Sequence, residues 1–174
     1  MKKVLVFVSS KKIADSLYEA VSEFYLSELA VIHSNKSQNY RFRSINQYDE
    51  GKVRILIATD IIARGLDLDK ISHVINFDTP AFAENYMHRI GRSGRAEKKG
   101  NAILLYTEKE ANDKEKIEEL MEMTIEKKKF PESIAISNEL IPDERPKAKE
   151  LNIHAKQDET RGASFHEKKE KNLM

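Results

Sequence analysis

The residues best suited to chemistry in this chain are three arginines at three-residue spacing, Arg89, Arg92 and Arg95, in the stretch His88-Arg89-Ile90-Gly91-Arg92-Ser93-Gly94-Arg95. Lysine outnumbers arginine 21 to 9, so a third of the rarer cation falls within eight positions. Charges set this closely repel one another unless an anion lies among them. Guanidinium, unlike ammonium, meets phosphate or carboxylate through a planar fork of donors. The simpler alternative is a basic helix end that satisfies its own carbonyls. A second stretch, Ala58 to Asp67, offers the Thr59 hydroxyl, a run of backbone amides and Gly65, which together suit the close approach of a phosphodiester. For Asp60 and Asp67 the plainer role is turn and cap chemistry.

These groups need elements to present them. Thr79 is a good cap and Pro80 a good first-turn residue, so a helix is expected from Pro80 to about Ile90, ended by a left-handed turn at Gly91. Arg92 and Arg95 then sit on a glycine-flanked loop. Val4 to Val8 is a continuous apolar run rich in β-branched residues, as in a strand buried on both faces of a parallel sheet. Ser9 and Ser10 follow at its carboxyl end, where open α/β sheets hold ligands, or where a serine caps the next helix. Ile13, Leu17, Ala20, Val21 and Phe24 give a helix from Lys11 to about Leu26 with those side chains in the core. Further strands are expected at Ala30–Ile32, Val53–Ala58, His73–Phe77 and Asn101–Tyr106. A helix capped by Ser37 should turn Phe42, Ile45 and Tyr48 inward and stop at Gly51. A last one, Glu110 to about Lys127, should bury Ile117, Leu120, Met121 and Ile125. Strands separated mainly by helices imply an α/β fold, an open parallel sheet of five or six strands with right-handed crossovers and helices on both faces.

His88 to Arg95 matches the HRxGRxxR motif of DEAD-box RNA helicases, and Ala58-Thr59-Asp60-Ile61-Ile62-Ala63-Arg64-Gly65-Leu66-Asp67 resembles the family's ATDxxARGLD motif. DEAH-type and RecQ-type helicases usually begin the arginine motif with glutamine, where this chain has His88; that residue and the ARGLD wording also disfavour a DNA helicase. The chain is identified as resembling the C-terminal RecA-like domain of a DEAD-box ATP-dependent RNA helicase of bacterial type. The resemblance implies that Arg95 is an arginine finger, helped by Arg92, with His88 coupling the domains, Arg89 a structural or interface partner, and Asp67 at the nucleotide ribose. It also implies RNA contacts from Ser9, Ser10, Thr59, Gly65 and Arg64, the last at the RNA face or the domain interface, while Phe7 supports the arginine motif. Gln38 and Arg41 match the QxxR part of the family's HGxxxQxxR-like pattern, which resembles an RNA-backbone contact. Ser34 replaces its glycine, which would matter if the loop required positive φ. Without the resemblance, Arg41 reads as a solvated helix residue.

No G-x-x-x-x-G-K-S/T and no D-E-x-D occurs in the chain. In such enzymes these elements hold ATP and Mg2+, and they belong to the N-terminal RecA-like domain. The expectation is therefore a piece of a longer protein that does not hydrolyse ATP by itself, with RNA and the N-terminal domain as partners. The rival is a non-catalytic module binding RNA or protein, disfavoured by the nucleotide-facing pair Asp67 and Arg95. A formal charge of +1 supplies no general basic field, so an RNA site must be a local arrangement. With no cysteine, disulfides and thiolate metal sites are excluded, and the five histidines are too scattered to suggest a metal site. No apolar run approaches about 18 residues, so no membrane span is expected and a cytoplasmic setting fits. Residues 1–129 read as the domain; 130–174, with three of the four prolines, read as an extension, partly docked and then flexible.

Overall fold

The computed structural model describes residues 2–60, 71–93, 100–129 and 131–134. Five strands, β1 (Val4–Val8), β2 (Leu29–Ile32), β3 (Ile55–Thr59), β4 (His73–Asn76) and β5 (Asn101–Leu104), form one sheet in the order β2-β3-β1-β4-β5. Every neighbouring pair is parallel, with Val4 opposite both Ile55 and His73. The unbroken apolar run of β1 follows from this central place. Leu5 and Phe7 pack on one face with Ala30, Leu56, Val74 and Tyr48; Val6 and Val8 pack on the other with Val31, Ile57 and Ala14. Parallel strands buried on both faces cannot alternate polar and apolar residues.

Helix α1 (Lys11–Tyr25) covers the Val6 face through Ile13, Ala14, Leu17 and Val21. Ala20 and Phe24, expected in the core, are exposed. A helix of 15 residues is about 22 Å long, whereas strands of four or five residues span about 13–17 Å, so its last turn overhangs the sheet. Helix α2 (Gln38–Asp49) covers the Phe7 face and is capped by Ser37, whose Oγ accepts the Tyr40 N–H at 3.3 Å. Its buried side centres on Ser44 and Tyr48, with Ile45 alongside; that rotation turns Phe42 out to 63 % exposure, against expectation. Gly51, at φ 78°, ends the helix as its sequence suggests.

Helix α3 (Ala83–Ile90) starts three residues later than expected, after Phe82; the Thr79 hydroxyl oxygen is buried with no hydrogen-bond partner among the described residues, so it caps no helix. Gly91 is not left-handed: φ is −62° and ψ is −5°. A Cβ there would lie 3.1 Å from the Met87 carbonyl, which already accepts the Gly91 N–H at 2.9 Å, so a side chain would push that carbonyl aside by a few tenths of an ångström and glycine fits without a shift. Helix α4 (Ala111–Met121) buries Ile117 but leaves Leu120 48 % exposed, and it ends well before Lys127. There Glu122 takes φ 52°, and the Glu118 carboxylate accepts the Ile125 N–H at 2.8 Å, turning the chain back. Met121 and Ile125 stay partly buried.

Candidate functional site

Tyr86 and Arg89 lie three apart on the buried side of α3. Arg89 is 1 % exposed, so its guanidinium must find compensation inside the protein. Nε donates to Asp60 Oδ1 at 2.7 Å and a terminal nitrogen to Oδ2 at 2.9 Å, the bidentate fit that only a guanidinium makes. The other terminal nitrogen donates to the Asp78 carbonyl at 3.0 Å and to Asn76 Oδ1 at 3.3 Å. The group lies 5.3 Å from the centre of the Phe7 ring. Arg89 thus ties α3 to the ends of β3 and β4 and rests on β1, a structural role. Asp60 was the residue sequence reasoning undervalued. The available signal was a carboxylate ending a buried strand, matched by an arginine on the buried side of a helix.

Asp78 extends this arrangement. Its Oδ2 accepts the Ser9 N–H at 2.7 Å, and its Oδ1 lies 3.6 Å from Arg89. Burial pushes its carboxyl above the usual range, opposed by the Ser9 hydrogen bonding and Arg89 and reinforced by the nearby Glu110 charge. Glu110 accepts the Thr79 N–H at 2.9 Å and the Thr107 N–H at 2.8 Å. Around Arg89, His88 is exposed and Arg92 half-buried. The turn carrying Arg92 is held by Ser93, whose N–H and Oγ both donate to the Ile90 carbonyl at 2.9 Å and which bridges to Ile71. Arg95, Arg64, Gly65 and Asp67 lie outside the described residues.

On the other half of the carboxyl edge, Val8 stands opposite Thr59, so Ser9 and Thr59 close two adjacent strands. Ser10 has its capping role, accepting the Ile13 N–H at 3.2 Å, while Ser9 is exposed. After β2, the buried His33 ring contacts Asp15 Oδ1 through Nε2 at 3.0 Å and accepts the Asn35 N–H at Nδ1, which makes Nε2 the protonated nitrogen. Burial would raise the Asp15 carboxyl, but hydrogen bonds from Lys36 and His33 together hold it below its ordinary value. Ser34 needs no glycine, since Glu122 alone among described non-glycine residues has positive φ. Gln38 and Arg41 meet on the first turn of α2, Arg41 donating to Gln38 Oε1 at 2.5 Å. The sheet therefore groups Ser9, Ser10 and Thr59 directly, sets Gln38 and Arg41 on the helix after the neighbouring strand, and joins this half to the arginine stretch through Asp60 and Asp78.

The family model described as the helicase conserved C-terminal domain matches residues 1–97. Over 78 % of this chain and 82 % of its own, the Escherichia coli DEAD-box protein SrmB, solved bound to regulator of ribonuclease activity A, is 32 % identical with a TM-score of 0.68. The chain belongs to the DEAD-box helicase family. A DEAD-box protein from the hyperthermophile Methanococcus jannaschii is 38 % identical over 74 % of this chain and 35 % of that one, with a TM-score of 0.67. The protein named ATP-dependent RNA helicase dbp2 of Sclerotinia sclerotiorum is 42 % identical over 114 residues, 64 % of this chain and 20 % of its own length. This DEAD-box chain thus spans about a fifth of the curated relative it matches. Relatives from a bacterium, an archaeon and a fungus single out no bacterial type. Its five parallel strands and flanking helices are the RecA-like C-terminal domain of the family. No helix among the described residues is long and apolar enough to cross a membrane.

Proposed function

We propose that this chain is the C-terminal half-site of an ATP-dependent RNA helicase, with residues 1–129 as the working domain, 130–174 as an extension, and a cytoplasmic setting. The observation that carries the reading is the burial of Arg89 against Asp60, Asn76, Asp78 and Phe7, which fixes the helix from which His88 and Arg92 emerge. A helix end anchored in this way holds Arg92 in place ahead of any ligand, and preorganisation is what gives electrostatic stabilisation its force.

In this reading the nucleotide is held mainly by an N-terminal RecA-like domain. ATP supplies a γ-phosphoryl group whose negative charge spreads as it transfers. Arg95, with Arg92, orients and neutralises those oxygens, an effect worth about 10³–10⁵ in rate. Asp67 accepts from the ribose, and His88 joins the two domains on closure. RNA runs over Ser9, Ser10, Thr59, Gly65, Gln38 and Arg41, with Arg64 at that face or at the domain boundary. Mg2+, like the nucleotide, is held mainly by the other domain in this reading; among the described residues no group of three or more His, Cys, Asp or Glu is placed to hold an ion.

The test is RNA-stimulated ATP hydrolysis by the chain alone and joined to the N-terminal RecA-like domain of a DEAD-box relative, with Arg95→Ala as control. Hydrolysis only in the joined protein, lost in the variant, is the expected result. RNA binding by the chain without any stimulation of the joined protein would favour a non-catalytic binding module instead.

A further inference from the structure

The two halves of the carboxyl edge are joined at one carboxylate outside the arginine and ATDxxARGLD stretches. Asp78 sits between the Ser9 amide, at the end of β1, and the guanidinium of Arg89, the anchor of the arginine stretch. Only 15 % of its side chain is exposed. Its Oδ2 is engaged by Ser9, while Oδ1 is buried with no hydrogen-bond partner among the described residues and stands 3.6 Å from Arg89, beyond bonding distance. A buried carboxylate oxygen left unsatisfied beside a cation is a costly arrangement that a small displacement relieves. Arg89 meanwhile holds Asp60 at 2.7 Å and 2.9 Å, so it has two carboxylates within reach and is fully bonded to one.

We infer that Asp78 is a positioning residue that transmits the position of the Ser9 loop to the arginine stretch through Arg89. This rests on the helicase reading above, in which Ser9 faces RNA. When the Ser9 backbone moves against a ligand, its amide draws Oδ2 with it. That movement changes the distance between Oδ1 and Arg89, and with it the balance of Arg89 between Asp60 and Asp78. Glu110 grips the next peptide, through the Thr79 N–H, but ties it to Thr107 after β5 and, among the described residues, hydrogen-bonds to nothing on the RNA side. It therefore serves as the comparison: it holds the same loop without linking the two halves.

The experiment compares Asp78→Asn and Glu110→Gln in the joined two-domain protein, measuring ATP hydrolysis with and without saturating single-stranded RNA, and thermal melting of each. The readout is the ratio of the two rates. A loss of folded protein lowers both rates together and leaves the ratio intact, so the ratio reports coupling alone. Asp78→Asn is expected to lower it by about fivefold or more, the low end of ordinary coupling between sites, while Glu110→Gln lowers the melting temperature and leaves the ratio unchanged. An unaltered ratio in Asp78→Asn, or an equal fall in both variants, overturns the inference. Absence of RNA stimulation in the unsubstituted protein would instead sink the helicase reading on which it rests.

Discussion

Two cations are buried at opposite ends of β1. Arg89 lies over Phe7 near the carboxyl end, with its fork spread over Asp60, Asn76 and Asp78. Lys3 precedes the strand at the other end; its Nζ donates to the Asp49 carbonyl at 3.1 Å, stands 3.9 Å from that residue's carboxylate, and lies 5.1 Å from the Tyr48 ring centre. Both rest on an aromatic ring, yet only the arginine is held by charge in bidentate geometry. The difference teaches what each end of the sheet is for. A lysine with a carbonyl and a distant carboxylate seals an edge of the core, whereas a guanidinium joining three elements fixes one helix relative to two strand ends.

The sharpest way to break this comparison is to remove each cation. Arg89→Met leaves Asp60 and Asp78 without their partner, and urea unfolding should record a loss of about 3–5 kcal/mol. Arg89→Lys should recover only part of it, since a point charge cannot span both Asp60 oxygens. Lys3→Met, by contrast, keeps the apolar stem and should cost about 1 kcal/mol or less. Equal losses at the two sites would mean that bidentate pairing contributes nothing special.

Tyr48 sharpens the comparison from the lysine side. Its hydroxyl is buried and finds no hydrogen-bond partner among the described residues, and burial, followed by the Asp49 charge, pushes its ionisation upward. Tyr48→Phe keeps the ring under Lys3 and removes the unsatisfied group, so stability should be unchanged or raised by about 1 kcal/mol. A clear loss would show that the hydroxyl has a partner after all.

The smallest effects lie in pH dependence, and they carry opposite signs. Asp78 has a folded pKa above its ordinary 3.8, so the native state holds its proton more tightly and stability from this group rises as pH falls through the folded value. Asp15 has a folded pKa below 3.8, so its contribution is present above that value and is lost on further acidification. Asp78→Asn should therefore remove a gain on mild acidification, and Asp15→Asn a loss at lower pH, in unfolding curves compared with the unsubstituted chain. Asp15 is partly exposed, so its share is the weaker of the two.

The strands were legible because each is a short apolar run, and the central place of β1 showed in its lack of alternation. The helix starts at Lys11 and Gln38 were legible from Ser10 and Ser37. What escaped was geometry that depends on distant partners. Phe24 looked buried because periodicity does not register that a helix outruns its sheet. Gly91 looked left-handed because glycine has two uses, and only the Met87 carbonyl at its back decides between them. Arg89 was recognised as a member of an arginine series before it was recognisable as its anchor, since Asp60 and Asp78 are remote in sequence. The Phe7 support expected from the family resemblance agrees with the ring beneath Arg89.

The strand order carries one further consequence, for how the protein reaches its native state. Within this sheet the central strand precedes the other four, and its neighbours β3 and β4 both lie far downstream, with Val4 opposite Ile55 and His73. No hairpin can shelter it early, because parallel pairing requires long crossovers. Closing such loops before the contacts repay them makes folding slow, and leaves the apolar Val4–Val8 segment open to strangers until the middle of the chain has arrived.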